Sequence, residues 1–187
     1  MIEAFSNIAT AFGLSSAAGL NAYLPLLIVA VSARFNLLQL NEPWDIMTNW
    51  WVIGALVVLI AIEMTVDKIP VVDSINDVIQ TVGRPAAGAV LFAASSGAIG
   101  EVHPAYAFIA GLLLAGGVHV IKTAARPAIT ATTVGTGNWA VSIMEDVVAL
   151  ISSVLAILVP LVMALFIVVA FLLFLWWRRR PFKKAAA

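Results

Sequence analysis

The sequence predicts an all-α protein, a polytopic bundle of membrane-spanning helices. Of its 187 residues, 63% are hydrophobic and only 11% are charged, whereas a soluble domain is about 45–50% apolar and about 25% charged. The mean hydropathy is +1.06. A chain this short cannot enclose so much apolar surface in one core, because small domains keep a large exposed fraction. Lipid is therefore the expected solvent of that surface, and the bilayer the expected partner.

Charge and residue content exclude several other classes of protein. Ten basic and ten acidic residues give a formal net charge of zero, so no overall field recruits nucleic acid. The chain has no cysteine, which excludes a disulfide scaffold. His103 and His119 lack the close spacing of a zinc site, and the serines are better explained as small packing residues. We expect no enzyme activity, no metal and no cofactor.

Five apolar regions are long enough, or nearly so, to cross a bilayer. About 20 helical residues cover a hydrocarbon core of about 30 Å. The regions are 4–33, 51–66, 85–100, 105–122 and 141–177. Because they are uniformly apolar rather than alternating, they predict helices and not barrel strands. The expected organisation is one integral domain over residues 1–187. Its parts are a broken first helix (4–33), two helical units (51–100 and 105–177) and a basic tail (178–187).

The number of crossings is five or six, depending on the last apolar region. A hairpin near Pro160 would give six, and this fits the positive-inside rule better. Proline more often kinks a membrane helix than turns it, so we favour one long kinked helix and five crossings. Trp176 and Trp177 form an aromatic anchor, and 178–180 is a run of arginines. This pattern places the C-terminus on the cytoplasmic side of the inner membrane.

Two parts of the chain are weakly similar to one another. Residues 53–58 align with 109–114, and the same shift places Glu63 on His119. Each apolar stretch leads on to the tripeptide Thr-Val-Gly, at 81–83 and at 133–135. The pattern indicates a tandem helix–loop–helix repeat, as is common in transporters, although short apolar stretches also resemble one another by chance.

Three places in the sequence predict interruptions or starts of helices. Gly19, Asn21 and Pro25 combine a small residue, an amide and a proline, which predicts a broken first helix. Opened backbone at membrane depth is tolerated only against protein or water. Gly83-Arg84-Pro85 predicts the start of the third helix, and Asn138 is expected to cap the last helix. Ordinary loops and close packing of small residues remain the alternative.

Charged residues within or beside the apolar regions are the candidate functional residues. A charge on a lipid-embedded helix costs at least a few kcal/mol and must face a partner or water. The candidate ion-binding residues are Glu63, Asp67, Asp73, Asp77, His119, Glu145 and Asp146. The candidate charge-balancing or anion-binding residues are Lys68, Arg84, Lys122, Arg126 and Asn138. Residues 73–82 are expected to form a short amphipathic helix.

Three interpretations of these residues compete. Carboxylates could bind a cation or relay protons, with Glu63 facing a titratable His119. Arginines and free amides at helix starts could hold an anion, such as a lipid headgroup. The third interpretation is purely structural: the charges form salt bridges and caps, and Glu145 and Asp146 are stabilised in a first helical turn by the helix dipole.

The polar pattern resembles that of a bacterial family called domain of unknown function 4126. The resemblance is carried by Glu63-x3-Asp67-Lys68-Ile69-Pro70-x2-Asp73 and Arg84-Pro85, with Gly19-Leu20-Asn21, Gly137-Asn138, Ser142 and Glu145-Asp146. It covers residues 12–153 and implies a small polytopic inner-membrane protein, without supplying an activity.

The expected function is therefore passage of a small ion or solute, as a channel or secondary transporter, through a homo-oligomer. The alternative is a non-transporting membrane subunit, or scaffold, that docks a second protein or anionic lipid. No phosphate-binding loop is present in the sequence, so primary pumping by this chain alone is not expected.

Overall fold

The structure, a computed structural model, describes residues 2–40, 42–66, 70–96, 103–133 and 136–179. Within these ranges the chain forms helices and no strand. The α-helices are α1 (Ile2–Ala18), α2 (Tyr23–Arg34), α3 (Trp50–Val66), α4 (Pro70–Ser96), α5 (Pro104–Thr133), α6 (Thr136–Leu158) and α7 (Pro160–Arg179). A 3-10 helix, Trp44–Thr48, connects α2 to α3. The all-α class predicted from the sequence is confirmed.

Two helices of the described residues are long and apolar enough to cross a membrane, by length and composition alone. They are Pro104–Thr133 and Gly137–Leu158, whereas α2 and α3 are apolar but shorter. Only 22% of the apolar window of either long helix is buried within the molecule. The protein itself therefore covers little of these two apolar surfaces.

The predicted start of the third helix at Gly83-Arg84-Pro85 is wrong. Helix α4 begins at Pro70 and continues through Pro85 to Ser96, so the expected short helix at 73–82 forms its first half. Pro85 lacks an N–H, which removes only the bond to the carbonyl of Thr81. Neighbouring groups can compensate for that loss in a packed helix, and proline alone was therefore a poor marker of a helix start.

The last apolar region is divided at Val159. Helix α6 ends at Leu158 and α7 begins at Pro160, a favoured first position for proline. Because Pro160 has no N–H, it cannot donate to the carbonyl of Ala156. The hydroxyl of Thr10 on α1 donates to that carbonyl instead, at 2.8 Å. The interruption is thus stabilised by a side chain from the first helix.

Side-chain contacts define the directions of the main helices. Arg84 contacts His119, and residues further along α4 meet earlier residues of α5, so these helices are antiparallel. Helices α5 and α6 are antiparallel in the same way. The guanidinium of Arg34 lies 5.1 Å from the ring centroid of Trp50, which places the end of α2 beside the start of α3.

The two Thr-Val-Gly tripeptides of the expected tandem repeat can be compared only at their threonines. The first tripeptide, at 81–83, lies inside α4. In the second, Thr133 ends α5, whereas Val134 and Gly135 lie outside the described residues. The two threonines therefore occupy different positions in their helices.

Small residues allow α1, α4 and α5 to approach closely. A Cβ atom at Gly111 would collide with the carbonyl of Gly88 and lie 2.6 Å from the Cβ of Phe92. The hydroxyl of Ser15 on α1 donates to the same Gly88 carbonyl at 2.8 Å. Such contacts let backbones meet and give van der Waals packing its largest effect in lipid. They fix α4 against α5 at the level where the polar residues lie.

Replacing Gly111 by alanine is expected to destabilise the protein by about 1–3 kcal/mol, because overpacking forces the helices apart. Gly117→Ala is the matched control on the same helix, since a Cβ there has nothing within 4 Å. Thermal unfolding in detergent measures both changes. An equal effect of the two substitutions would contradict the close α4–α5 contact.

Candidate functional site

Polar side chains from four helices, α3 to α6, and from the α1–α2 connection meet in the bundle, and we call this group the polar cluster. It comprises Asn21, Glu63, Gln80, Thr81, Arg84, His119, Lys122, Arg126, Glu145 and Asp146. Seven of these residues are buried: Asn21, Glu63, Gln80, Arg84, His119, Lys122 and Arg126. Charged residues are almost never fully buried unless they are paired, so the cluster requires the contacts described below.

Glu63, near the end of α3, is held by two side chains of α4. Its Oε1 accepts from Gln80 Nε2 at 3.2 Å and from Arg84 Nη2 at 3.4 Å. Arg84 is 0% exposed and Glu63 2%, which makes this a fully buried ion pair. Gln80 and Arg84 are four residues apart, so they lie on the same face of α4.

Arg84 also connects α4 to α5 through His119. Its Nη1 lies 3.0 Å from His119 Nδ1. A guanidinium can only donate, so Nδ1 is the acceptor, and in a neutral ring the hydrogen is on Nε2. That nitrogen lies 3.2 Å from Thr81 Oγ1. From the sequence, Glu63 is expected to face His119 directly. Among the described side chains, the guanidinium of Arg84 lies between them and contacts both.

Further along α5, two cations share one carboxylate of α6. Lys122 Nζ lies 2.8 Å from Glu145 Oε2, and Arg126 Nη2 lies 3.5 Å from the same oxygen. The Lys122 side chain is 2% exposed and that of Glu145 13%. The shorter contact has the length of a charge-assisted hydrogen bond, so Lys122 and Glu145 form the tighter pair.

The break between α1 and α2 is built by Asn21. Its side-chain Oδ1 accepts from the backbone N–H groups of Tyr23 and Leu24, at 3.0 and 2.9 Å. In a continuous helix the N–H of Leu24 would donate to the carbonyl of Leu20. That carbonyl instead accepts from Lys122 Nζ at 3.2 Å. The ammonium of Lys122 therefore joins the opened backbone of the first segment to the carboxylate of α6.

Asn21 also binds α6 directly, since its Nδ2 donates to Asp146 Oδ1 at 2.9 Å. Gly19, two residues earlier, lies against α5, and a Cβ there would be 2.5 Å from the carbonyl oxygen of Ala115. Pro25 is buried in the first turn of α2, where a missing N–H costs little. Of the three predicted break residues, Gly19 and Asn21 lie in the break and Pro25 lies beyond it.

Two sequence-based placements on α6 are wrong. Glu145 and Asp146 are the tenth and eleventh residues of a helix that begins at Thr136, so the dipole of a first turn does not explain them. Asn138 lies within α6 and exchanges hydrogen bonds with Thr130 of α5, at 2.9 and 3.1 Å. It is therefore an α5–α6 contact and not a cap.

Four predicted residues cannot be placed in the cluster. Asp67 and Lys68 lie outside the described residues, and Asp73 and Asp77 fall in the first half of α4 with side chains outside the described part. His103 is exposed at the start of α5, where its Nδ1 accepts from the backbone N–H of Ala105 at 3.2 Å.

The comparison with protein families decides where this fold belongs. The family model called "Domain of unknown function (DUF4126)" matches residues 8–180, and so includes all the helices of the polar cluster. The chain belongs to this family. No curated protein and no solved structure matches the chain.

Two cluster residues of this family member were missed by sequence reasoning. Gln80 and Thr81 are uncharged, and they lie in a stretch that was interpreted as a short amphipathic helix, either at the membrane interface or re-entering between the other helices. The signal that could have revealed Gln80 is its spacing of four residues from Arg84, which places both on one helical face. Thr81 gave no comparable signal.

The described part of the cluster contains three cations and three carboxylates. The cations are Arg84, Lys122 and Arg126, and the carboxylates are Glu63, Glu145 and Asp146. Among the described residues, no group of three or more histidine, aspartate or glutamate side chains could hold a metal ion. The chemistry on offer is hydrogen bonding and charge pairing, which can bind and release small polar or charged solutes.

Glu145→Gln is expected to destabilise the protein more than Lys122→Met. The first change removes the carboxylate shared by two buried cations, whereas the second leaves Glu145 with Arg126. Loss of one partner of a buried pair costs about 3–5 kcal/mol, and the two changes should couple by about 0.5–3 kcal/mol. A double-mutant cycle of unfolding free energies measures this; strict additivity of the two losses would contradict the pairing.

Proposed function

We propose that this protein is a small membrane channel or secondary transporter that moves a small ion or solute through the polar cluster. The observation that carries the proposal is the burial of charged side chains from α3, α4 and α5, which meet partly buried carboxylates of α6, beside an opened stretch of backbone. Ionisable residues inside a membrane bundle are costly and mark ion or substrate pathways. Discontinuous helices near such residues are typical of transport sites.

The contacts of the cluster suit a solute that binds and leaves. Conduction requires binding that is favourable but weak enough for release. The described Arg84–Glu63 contact is 3.4 Å, against 2.8 Å for Lys122–Glu145. Both pairs connect helices, and we assign the looser one, Arg84–Glu63, to the passing solute as well.

In this proposal α5 and α6 cross the inner membrane with the apolar regions of the other helices, giving five or six crossings and a cytoplasmic C-terminus. The long apolar surfaces of α5 and α6 are largely uncovered within the molecule, so they can pack against a second copy. A homo-oligomer is the form in which we expect transport.

The test is flux into proteoliposomes under imposed proton, sodium, potassium, ammonium and chloride gradients. Glu63→Gln should reduce flux about tenfold or more, because bonds to a charged group are worth about 1.5–3 kcal/mol. Glu3→Gln is the control, since Glu3 is an exposed carboxylate in the first turn of α1. Equal flux in the two variants, from equally folded protein, would refute a transport role for Glu63.

A non-transporting subunit or lipid-binding scaffold is the second candidate. It is favoured by the direct ion pairs between helices, because such pairs are sufficient to dock helices without any transport. Its anion-binding version loses one of its two expected helix starts, because Pro85 lies inside α4, whereas Asn138 lies in the first turn of α6. Silence under every gradient, together with foreign subunits that co-purify, would favour this candidate.

A further inference from the structure

The side-chain amide of Gln80 has a hydrogen-bond partner at its nitrogen, Nε2, but none among the described residues at its oxygen, Oε1. Its Nε2 donates to Glu63, and a carboxylate can only accept, so the amide cannot be flipped without placing two oxygens together. Gln80 Oε1 is the other end of this amide, beside the carboxylate of Glu63 but not bonded to it. It is buried, in a residue that is 1% exposed, and accepts no hydrogen bond from the described residues.

A missing side chain on α4 leaves room beside this oxygen. A Cβ atom at Gly83 would lie 2.9 Å from Gln80 Oε1, so any larger residue there would occupy the space in front of it. Buried acceptors are almost always satisfied, by protein or by an ordered water, and a bound ligand can take the place of such a water. The group that satisfies Gln80 Oε1 must be a hydrogen-bond donor small enough for the space over Gly83.

The other half of the polar cluster shows which donor fits such a pair of oxygens. Lys122 presents a primary ammonium to one carbonyl, that of Leu20, and to one carboxylate, that of Glu145. Gln80 and Glu63 offer the same pair of oxygen types, an amide carbonyl and a carboxylate. The cluster thus already contains one ammonium held by this donor set.

We propose that Gln80 Oε1 and the Glu63 carboxylate bind ammonium or a small primary ammonium ion. An ammonium is satisfied by a few directed hydrogen bonds, whereas a hard metal cation takes about six or more oxygen ligands. An anion is excluded because both atoms are acceptors. The inference rests on the proposed transport function for its purpose, and it names the substrate class of that site.

Binding is tested on the purified full chain by thermal unfolding against ammonium chloride and methylammonium chloride. Ionic strength is held constant with choline chloride, whose quaternary nitrogen has no N–H to donate. The unfolding temperature should rise and saturate with both ammonium salts, as expected for a ligand that binds the folded state. Sodium and potassium chloride should give no saturable rise; saturation with either would overturn the choice of an N–H donor.

Gly83→Ala should raise the half-saturating ammonium concentration about tenfold or more, a change of about 1.4 kcal/mol in binding, because the new methyl group fills the space at Oε1. Gln80→Leu should abolish the response. Gly54→Ala is the control, as its Cβ meets nothing within 4 Å. Wild-type half-saturation in Gly83→Ala would overturn the proposal, as would an unfolding temperature that does not respond to ammonium.

The site and the transport function can fail separately. A saturable ammonium response in a protein that carries no flux would retain the site and refute transport. Flux that Gly83→Ala leaves unchanged, in a protein without an ammonium response, would retain transport and refute the site.

Discussion

The buried ion pairs are the constraint on which the arrangement of the helices depends. A charge removed from water is tolerated only next to an opposite charge or several hydrogen bonds, so each pair restricts the register of the two helices that supply it. Arg84 ties α4 to α3 and α5, and Lys122 ties α5 to α6 and to the α1–α2 connection. If one helix moved by a turn along its axis, charged side chains on more than one neighbouring helix would lose their partners.

The close packing of small residues and the polar contacts are parts of the same arrangement. Gly88 and Gly111 bring the backbones of α4 and α5 together one turn or two from Arg84 and His119. The contact between Arg84 and His119 forms beside this close approach. The small residues and the polar side chains thus connect the same two helices.

The sequence was a good guide to helices and a poor guide to their ends. The apolar region 51–66 became α3 almost residue for residue, because uniform hydrophobicity leaves few alternatives in a chain of this composition. Pro85 misled because a proline can begin a helix or interrupt it, and only the packing around it decides. Asn138 misled for a related reason, since an amide that caps a helix end can equally bond to a neighbouring helix. For the candidate site, charged residues stood out by their cost, whereas Gln80 became visible only through its contacts with Glu63 and its spacing from Arg84.

The hydrogen bond from Thr10 to the carbonyl of Ala156 has a consequence for biogenesis. The two residues are 146 positions apart, so α1 is synthesised long before the segment that needs it. Until α6 has been synthesised, the Thr10 hydroxyl lacks the acceptor that it has in the folded protein. Once α6 and α7 have been synthesised, the carbonyl of Ala156 has no donor within its own helix, because Pro160 has no N–H. Docking onto the first helix resolves both deficits in one step. Because α1 is synthesised first, it is already present when the C-terminal segment emerges. Early docking of that segment onto α1 would favour its correct folding.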